Sequence, residues 1–220
     1  MKESGKGFWR HARQVISVTA VLLLVCGFIF PLALTGLSSL LFPKQAEGSL
    51  IEAEGKIVGS EHVGQEFTED YYLWSRPSAY HYNVYREEDG GRYYNDGTEF
   101  SGLGSGSANY APSNPELQER VDQDIERFLE KNPEISREDI PADLVTASGS
   151  GLDPDISPEA AEIQIPRIAE ASGLSREEVE QIVEHNTEGK LLGIFGEETV
   201  HVLQTNLEIA EAMGILGEAS

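Results

Sequence analysis

The sequence predicts a single N-terminal transmembrane helix followed by one α+β (mixed α/β) extracytoplasmic domain. Three observations support this fold class: a long uncharged apolar stretch, basic residues gathered on its N-terminal side, and a remainder in which short strand patterns mix with helical ones. The 220 residues are divided into a basic cytoplasmic N-terminus (1–14), the transmembrane helix (15–42) and the extracytoplasmic domain (43–220).

The membrane helix is predicted from residues 15–42, which carry no charged side chain. As a helix this stretch extends roughly 42 Å at about 1.5 Å per residue, enough to cross a hydrocarbon core of about 30 Å with tilt. A cleaved signal peptide is the alternative, but the apolar run is about twice the usual length and no A-x-A site follows it. Four basic residues precede the helix: Lys2, Lys6, Arg10 and Arg13. The positive-inside rule therefore predicts a cytoplasmic N-terminus, a span in the cell (inner or plasma) membrane and a C-terminal domain outside.

Small residues within the span are candidates for packing against another membrane helix. Thr35 and Ser39 lie one turn apart, and Gly27 is a third small residue of the span. A lone tether in which these residues are incidental explains the pattern equally well. Pro31 lacks an amide hydrogen, so we expect it to kink the helix.

Charge and cysteine content exclude several classes of function. The chain has 16 Lys and Arg against 38 Asp and Glu, and after Lys44 the balance is 11 against 37, a net of −26. A duplex-binding protein needs the opposite sign, so no nucleic-acid partner is predicted. Cys26 is the single cysteine, which excludes an intrachain disulfide and a Cys-based zinc cluster. The acidity has three readings: a solvated surface, electrostatic attraction of cations, or adaptation to high salt.

The outer domain is predicted to contain short strands near Leu50 and Ile57, and turns or a long loop over residues 87–107. Helices are indicated by their caps and breaks. Asn114 caps a helix that Asn132-Pro133 ends, Ser157 caps a helix that Pro166 kinks or breaks, and Ser175 with Glu178 forms a capping box. A buried strand is expected over 144–147, a second strand over 199–205, and a helix over 206–213.

The segment 147–155 (ASGSGLDPD) is the most distinctive part of the domain. A nucleophilic serine would need G-x-S-x-G and an activating histidine, and a phosphate loop would need a lysine. Asp153 and Asp155 with Glu159 offer oxygen ligands for calcium, but the EF-hand pattern is missing. A tight turn into the next helix, with both aspartates making local backbone bonds, is the favoured interpretation, with docking of a partner's backbone as its functional addition.

Two further segments supply candidate contact residues. Arg76 lies among aromatic residues in a domain short of cations, so we expect it to have an acidic partner, either within the domain or on another subunit. Asn109 lies in a polar loop and can bond a neighbouring main chain. The candidates for partner docking are Arg76, Ser78, Asn109, Asp143, Ser148, Ser150 and Asp153.

Taken in order, these segments resemble the KdpC family, the small single-span subunit of the Kdp potassium-importing P-type ATPase. The longest match is residues 141–161 (PADLVTASGSGLDPDISPEAA). Shorter ones are Gly48-Ser49-Leu50-Ile51, Arg76-Pro77-Ser78-Ala79, Ser107-Ala108-Asn109, Pro166-Arg167-Ile168-Ala169 and Phe195-Gly196-Glu197. Asp155 stands where the family usually has a histidine.

The resemblance implies an accessory and regulatory subunit of an ATP-driven high-affinity potassium import complex, needed for assembly and without catalysis of its own. The partners implied are a channel-like potassium-binding subunit, a P-type ATP-hydrolysing subunit and the lipid bilayer. ATP and potassium belong to the complex, and no cofactor is implied for this chain directly. The D-K-T-G-T phosphorylation motif and a T-V-G-Y-G filter are absent from it.

The family has been assigned the role of a catalytic chaperone that raises the ATP affinity of the pump subunit. The predicted topology puts the domain across the bilayer from cytosolic ATP, so we expect an indirect effect in which the domain clamps the channel-like subunit. The alternative is an independent membrane-anchored ectodomain with hydrolase or cation-binding activity.

Overall fold

The computed structural model of the protein describes residues 4–216, with side chains from residue 7 onward. Lys2 and the side chain of Lys6, two of the four basic groups predicted to set the topology, lie outside the described residues. The chain forms two compact units, Met1–Ser49 and Leu50–Ser220.

The first unit is a long apolar helix interrupted once. Its parts are α1 (Ser4–Leu24), a π-helical turn (Val25–Ile29) and α2 (Phe30–Leu41), and the short α3 (Pro43–Ala46) follows. The stretch Gly7–Leu41 is long and apolar enough to cross a membrane. The single-span part of the predicted fold class is thereby confirmed.

The disturbance expected at Pro31 takes the form of this π-helical turn. A proline has no amide hydrogen to donate, and its ring crowds the carbonyl four residues earlier. The helix widens just before it, and the amide of Phe30 donates to the carbonyl of Val25, five residues back. The small residues Gly27, Thr35 and Ser39 are exposed along this helix, and their packing role stays a prediction.

The second unit mixes short strands with helices, which confirms the α+β prediction. Its strands are β1 (Leu50–Ala53), β2 (Lys56–Ser60), β3 (Arg86–Glu88), β4 (Gly91–Tyr93), β5 (Asp155–Ile156), β6 (Thr187–Glu188) and β7 (Thr199–His201). The helices are α4 (Pro115–Lys131), α5 (Pro158–Glu162), α6 (Ile165–Ser172), α7 (Arg176–His185) and α8 (Val202–Met213). Two antiparallel hairpins, β1-β2 and β3-β4, accompany an antiparallel sheet of order β5-β7-β6.

The helix starts follow the local capping chemistry that the sequence predicts. The Asn114 side chain accepts from the amide of Glu116, and the Ser157 hydroxyl accepts from that of Ala160. Ser175 with Glu178 forms both halves of the capping box. Helix α5 ends at Glu162 and α6 begins three residues later, with Pro166 in its first turn, so the predicted break is confirmed.

The predicted strand over 144–147 is wrong. Residues Ala142–Leu144 form a 3₁₀ turn instead, and the Thr146 hydroxyl donates to the carbonyl of Ala142 at 2.6 Å. This side-chain bond to the backbone competes with a strand ladder. Leu144 is buried as predicted, but from a turn.

The predicted strand over 199–205 is too long, and the predicted helix over 206–213 begins too late. The strand ends at His201, because the Nδ1 of that residue accepts from the amide of Gln204 and caps α8. The segment 87–107 was predicted as turns or a loop and also contains the β3-β4 hairpin. Asp89 and Gly90 take positive φ angles of 50° and 80° there, as a tight hairpin turn requires.

The core of the second unit is formed by α4 to α8, the three-stranded sheet, Leu144 and the irregular segment 70–74. Leu73, on that segment, is fully buried although it belongs to neither a helix nor a strand. The side-chain amide of Asn206 accepts from the Leu73 amide at 2.7 Å and donates to its carbonyl at 2.9 Å. Gln164 does the same for Trp74, at 2.9 and 3.3 Å. Both side-chain amides make the backbone hydrogen bonds that a neighbouring strand would otherwise make.

Arg167 completes this arrangement from α6 and is 7% exposed. Its guanidinium donates to the carbonyls of Asp70 and Tyr72 and to the Gln164 side chain, and it lies 4.2 Å from the centre of the Trp74 ring. Burial lowers the pKa of Arg167 to about 10, so the group stays charged at neutral pH. Hydrogen bonds and the ring face stabilise this buried cation.

We predict that Asn206→Leu strongly destabilises the domain. The substitution keeps the size of the side chain but leaves the amide and carbonyl of Leu73 buried without partners. Two such groups cost about 1–3 kcal/mol each, so the free energy of unfolding should fall by about 2–6 kcal/mol. Chemical denaturation of the detergent-solubilised chain measures it. The control is Gln118→Leu, at an exposed amide side chain of α4, where a change within about 0.5 kcal/mol is expected. Equal losses in both variants would contradict the prediction.

Candidate partner-docking site

The segment 147–155, called here the serine-glycine turn, is closed by its own serines. The Ser148 hydroxyl accepts from the amide of Gly151 at 2.9 Å, and the Ser150 hydroxyl accepts from that of Leu152 at 3.1 Å. The carboxylate of Asp153 accepts from the amide of Asp155 at 3.2 Å. The favoured interpretation, a tight turn with local backbone bonds from both aspartates, matches this geometry for Asp153. It is wrong for Asp155, whose carboxylate makes no such bond in the part of the chain that the structure describes.

Other segments cross the serine-glycine turn at close range. The amide of Gly106 donates to the carbonyl of Ser150 at 2.6 Å, and that of Gly64 donates to the carbonyl of Leu152 at 2.9 Å. A Cβ on Gly151 would lie 2.3 Å from the carbonyl oxygen of Gly106, and Gly151 has a φ of +65°. Glycine is required there by both space and backbone conformation.

Arg76 and Ser78 hold the turn from the aromatic-rich segment. The Arg76 guanidinium donates to Asp153 at 2.8 Å and lies 3.4 Å from the carbonyl of Thr146. The acidic partner expected for Arg76 is therefore Asp153 of the same domain. Ser78 donates to the carbonyl of Gly151 at 2.7 Å.

Asp143 and Asn109 complete the predicted docking set. The Asp143 carboxylate accepts from the Ser157 amide at 2.7 Å and from its hydroxyl at 3.1 Å, so it fixes the start of α5. Asn109 turns back onto its own loop, where its amide donates to the carbonyl of Ser107 at 3.0 Å. The structure thus joins five candidates in one network around the turn: Arg76, Ser78, Ser148, Ser150 and Asp153. Their role in docking stays a prediction.

The two serines of the turn differ in exposure. Ser148 is buried and its hydroxyl serves the turn, while Gly149 and Ser150 are exposed at its outer edge. No group of three or more His, Cys, Asp and Glu residues able to hold a metal ion occurs among residues 4–216. Gly149 and Ser150 are therefore the part of the turn that is accessible to a partner.

A left-handed segment next to the turn was missed by the sequence reasoning. His81, Tyr82 and Asn83 have φ angles of 45°, 54° and 60°, and L-residues in this region cost about 1–2 kcal/mol each. Ser78 offsets part of the cost, because its hydroxyl accepts from the amides of Tyr80 and Tyr82 at 3.2 Å. In the sequence, only Asn83 indicates this conformation, since asparagine tolerates a positive φ better than most residues do.

The same segment is bonded on both sides. The Asn83 side chain accepts from the amide of Gly104 at 2.9 Å and donates to its carbonyl at 3.0 Å. The ring of His81 hydrogen-bonds Glu66 at 2.7 Å, and this bond raises the pKa of the imidazole despite its partial burial. Strain of this kind persists only where the surroundings enforce it.

A polar cleft of about 390 Å³ lies beside the three-stranded sheet. It brings together three of the chain's five histidines: His62, His185 and His201. His201 donates from Nε2 to the carbonyl of Glu61 at 2.9 Å, and its Nδ1 accepts from the amide of Gln204 at 3.3 Å. Asp155 lies opposite His201 in the sheet register. Sequence reasoning could not find this cleft because its histidines are distant in the chain.

The carboxyl group of Asp155, which lines the cleft, has a raised pKa. Burial raises the pKa of its carboxyl, His201 opposes the shift, and Asp153 adds to it. Since the folded state holds this proton more tightly than the unfolded state, stability falls as the pH rises through the raised pKa.

We predict that Asp155→Asn raises the midpoint of thermal unfolding at pH 7.5, because it removes a carboxylate that burial disfavours. The gain should disappear below about pH 3.8, the ordinary pKa of the group, where wild-type Asp155 is protonated in both states. The measurement is a melting series of the detergent-solubilised chain across pH.

The control for this series is Asp96→Asn. Hydrogen bonds from Thr98 lower the pKa of Asp96, so its loss should reduce the midpoint at pH 7.5. An unchanged or lower midpoint for Asp155→Asn at that pH would contradict the prediction.

Comparison with known proteins gives the family. The model of the family described as KdpC, "K+-transporting ATPase, c chain", matches residues 12–211. A relative from Clostridium kluyveri named "Potassium-transporting ATPase KdpC subunit" is 52% identical over 211 residues, which cover 96% of this chain and 98% of the relative. Relatives of the same name from Clostridioides difficile and Bradyrhizobium diazoefficiens are 50% and 41% identical, over 93% and 92% of this chain and 98% of each relative.

The similarity covers the apolar helix, the serine-glycine turn and the helices that follow. The chain therefore belongs to the KdpC family and is an accessory subunit of a potassium-transporting ATPase.

Proposed function

We propose that the chain is a non-catalytic clamp of the potassium pump. Its N-terminus lies in the cytoplasm, its helix crosses the cell membrane, and its domain contacts a channel-like potassium-binding subunit outside. It raises the ATP affinity of the P-type subunit without touching nucleotide. The observation that carries this proposal is the asymmetry of basic residues around the apolar helix: residues 1–14 hold four Lys and Arg, and residues 43–56 hold two.

The hydrogen bonds of the serine-glycine turn support a role without catalysis. A nucleophilic serine needs a base within hydrogen-bond reach, and the hydroxyls of Ser148 and Ser150 instead accept amides of the turn. The guanidinium of Arg76 is engaged by Asp153 and Thr146. These groups build a surface, which favours a docking subunit over an independent hydrolase.

An effect on ATP affinity across the bilayer is then a coupling between two sites. The clamp would contact one conformation of its partner more extensively than another, and so shift the population that binds ATP well. Couplings of this kind change an affinity by about 5–150-fold. The chain needs no nucleotide site of its own for such an effect.

The proposed topology predicts the labelling of single cysteines in intact cells. Cys26 lies within the apolar helix, so Cys26→Ala with Glu177→Cys leaves one thiol on the exposed surface of α7. A membrane-impermeant maleimide should label this variant in spheroplasts without lysis. The matched variant, Cys26→Ala with Gly7→Cys, should be labelled only after lysis. The reverse pattern would place the domain in the cytosol and defeat the proposal.

The coupling is tested on the purified complex. We expect the apparent KM for ATP hydrolysis to rise by about 5–150-fold when this subunit is omitted, because the high-affinity state loses its clamp. Restoring the chain should restore the KM, and the chain alone should hydrolyse no ATP. An ATP dependence identical with and without the subunit would refute the regulatory role.

A further inference from the structure

Residues Leu191–Phe195, called here the apolar tip, expose four large apolar side chains between β6 and β7. Leu191 is 70% exposed, Leu192 82%, Ile194 75% and Phe195 62%. Apolar surface in one contiguous patch is unfavourable in water and marks a surface that a partner covers. The polar docking candidates discussed above include none of these residues.

The backbone of the apolar tip is held in one shape. The amide of Leu191 donates to the carbonyl of Phe195 at 2.8 Å, and the amide of Phe195 donates back at 3.0 Å. The amide of Gly193 closes a turn onto Lys190 at 2.8 Å. Leu192 has a φ of +55°, a conformation that a leucine rarely adopts. A loop fixed in this way loses little conformational freedom on docking.

Charge around the apolar tip discriminates between possible partners. Lys190 is the one charged residue within 189–196, and Glu188, Glu197 and Glu198 flank the segment. A second copy of this acidic domain, or an anionic lipid surface, would meet these carboxylates with like charge. A protein surface with an apolar pocket and a basic rim complements both the tip and its flanks.

We propose that the apolar tip is a docking knob that inserts into an apolar, basic-rimmed pocket on another subunit of the same potassium-transporting complex. This rests on the proposed function, which supplies that partner. The central apolar side chains fill the pocket, and the flanking glutamates pair with its rim. The tip is a second contact region, distinct in chemistry from the polar serine-glycine turn.

The test uses the full chain, affinity-tagged and expressed with the other subunits. The double variant Leu192→Asn, Ile194→Ser removes the centre of the tip, and asparagine tolerates the positive φ of residue 192. Retention of the other subunits should weaken by at least about tenfold. The matched control is Leu103→Ser, at a leucine that is also 82% exposed, and it should retain them as the wild type does. Unchanged melting midpoints establish that the variants fold, and Ile194→Ser alone should give an intermediate loss.

A charge-reversed variant separates a protein pocket from lipid. Glu197→Lys with Glu198→Lys should weaken retention of the other subunits. Were the tip a membrane anchor, lysines at its flanks would favour an anionic bilayer and the variant would keep its subunits, which would overturn the inference. Association of the solubilised wild-type chain with itself through the tip, lost in the double variant, would also overturn it.

Different results would contradict the docking knob and the proposed function. If the wild-type chain retains the other subunits and the double variant retains them equally well, the docking knob is wrong and the proposed function stands. If the wild-type chain retains none of them, the proposed function falls, and the docking knob falls with it.

Discussion

The second unit depends on satisfying the backbone of a segment that runs through its core without a neighbouring strand. Leu73 and Trp74 carry amides and carbonyls where water cannot reach them, and unpaired groups there would cost as much as lost hydrogen bonds. Asn206 and Gln164 each bond both the amide and the carbonyl of one residue. Because these two side chains come from α8 and from the junction of α5 and α6, the same bonds fix the helices against the segment.

The side-chain hydrogen bonds to this segment explain how the second unit is held together with so few hydrogen bonds between strands. The strands are two to five residues long, too short to define the positions of the connecting loops. Asn83 pairs with Gly104 as the two core amides pair with Leu73 and Trp74. The serine-glycine turn then lies against Gly106 at a distance that admits no side chain. Side-chain amides and close glycine contacts therefore fix the positions of the loops, which longer strands fix in other α+β domains.

Sequence reasoning succeeded where the chemistry was local. The caps at Asn114, Ser157 and Ser175 and the break at Pro166 depend on residues within four positions, so they could be read directly. It missed one local interaction, the bond from Thr146 to the carbonyl of Ala142, which gives a turn in place of the strand expected at 144–147. It could not find contacts between residues far apart in the sequence, such as that of Asn206 with Leu73, which spans 133 residues. An acidic partner for Arg76 was predicted from charge alone, but its identity as Asp153 required the fold.

The apolar tip illustrates a different limit. Its alternation of leucines, glycine, isoleucine and phenylalanine is equally consistent with a buried strand, and hydrophobicity by itself does not reveal exposure. Other residues indicate a turn: Gly193 interrupts the apolar segment, and Gly196 and Glu197 follow it. A buried strand of this length has no need of interior glycines, whereas a rigid turn does.

Under the proposed function, the domain acts on its neighbours through contact. It can bias a partner only if its contacts differ between two states of that partner, because equal contacts shift no equilibrium. A compliant domain would absorb the difference by deforming. Here the core amides, the Arg76–Asp153 pair and the left-handed segment at 81–83 hold the loops in one arrangement. A rigid surface resists such deformation, so under the proposed function a difference in contact becomes a change in the partner's conformational balance.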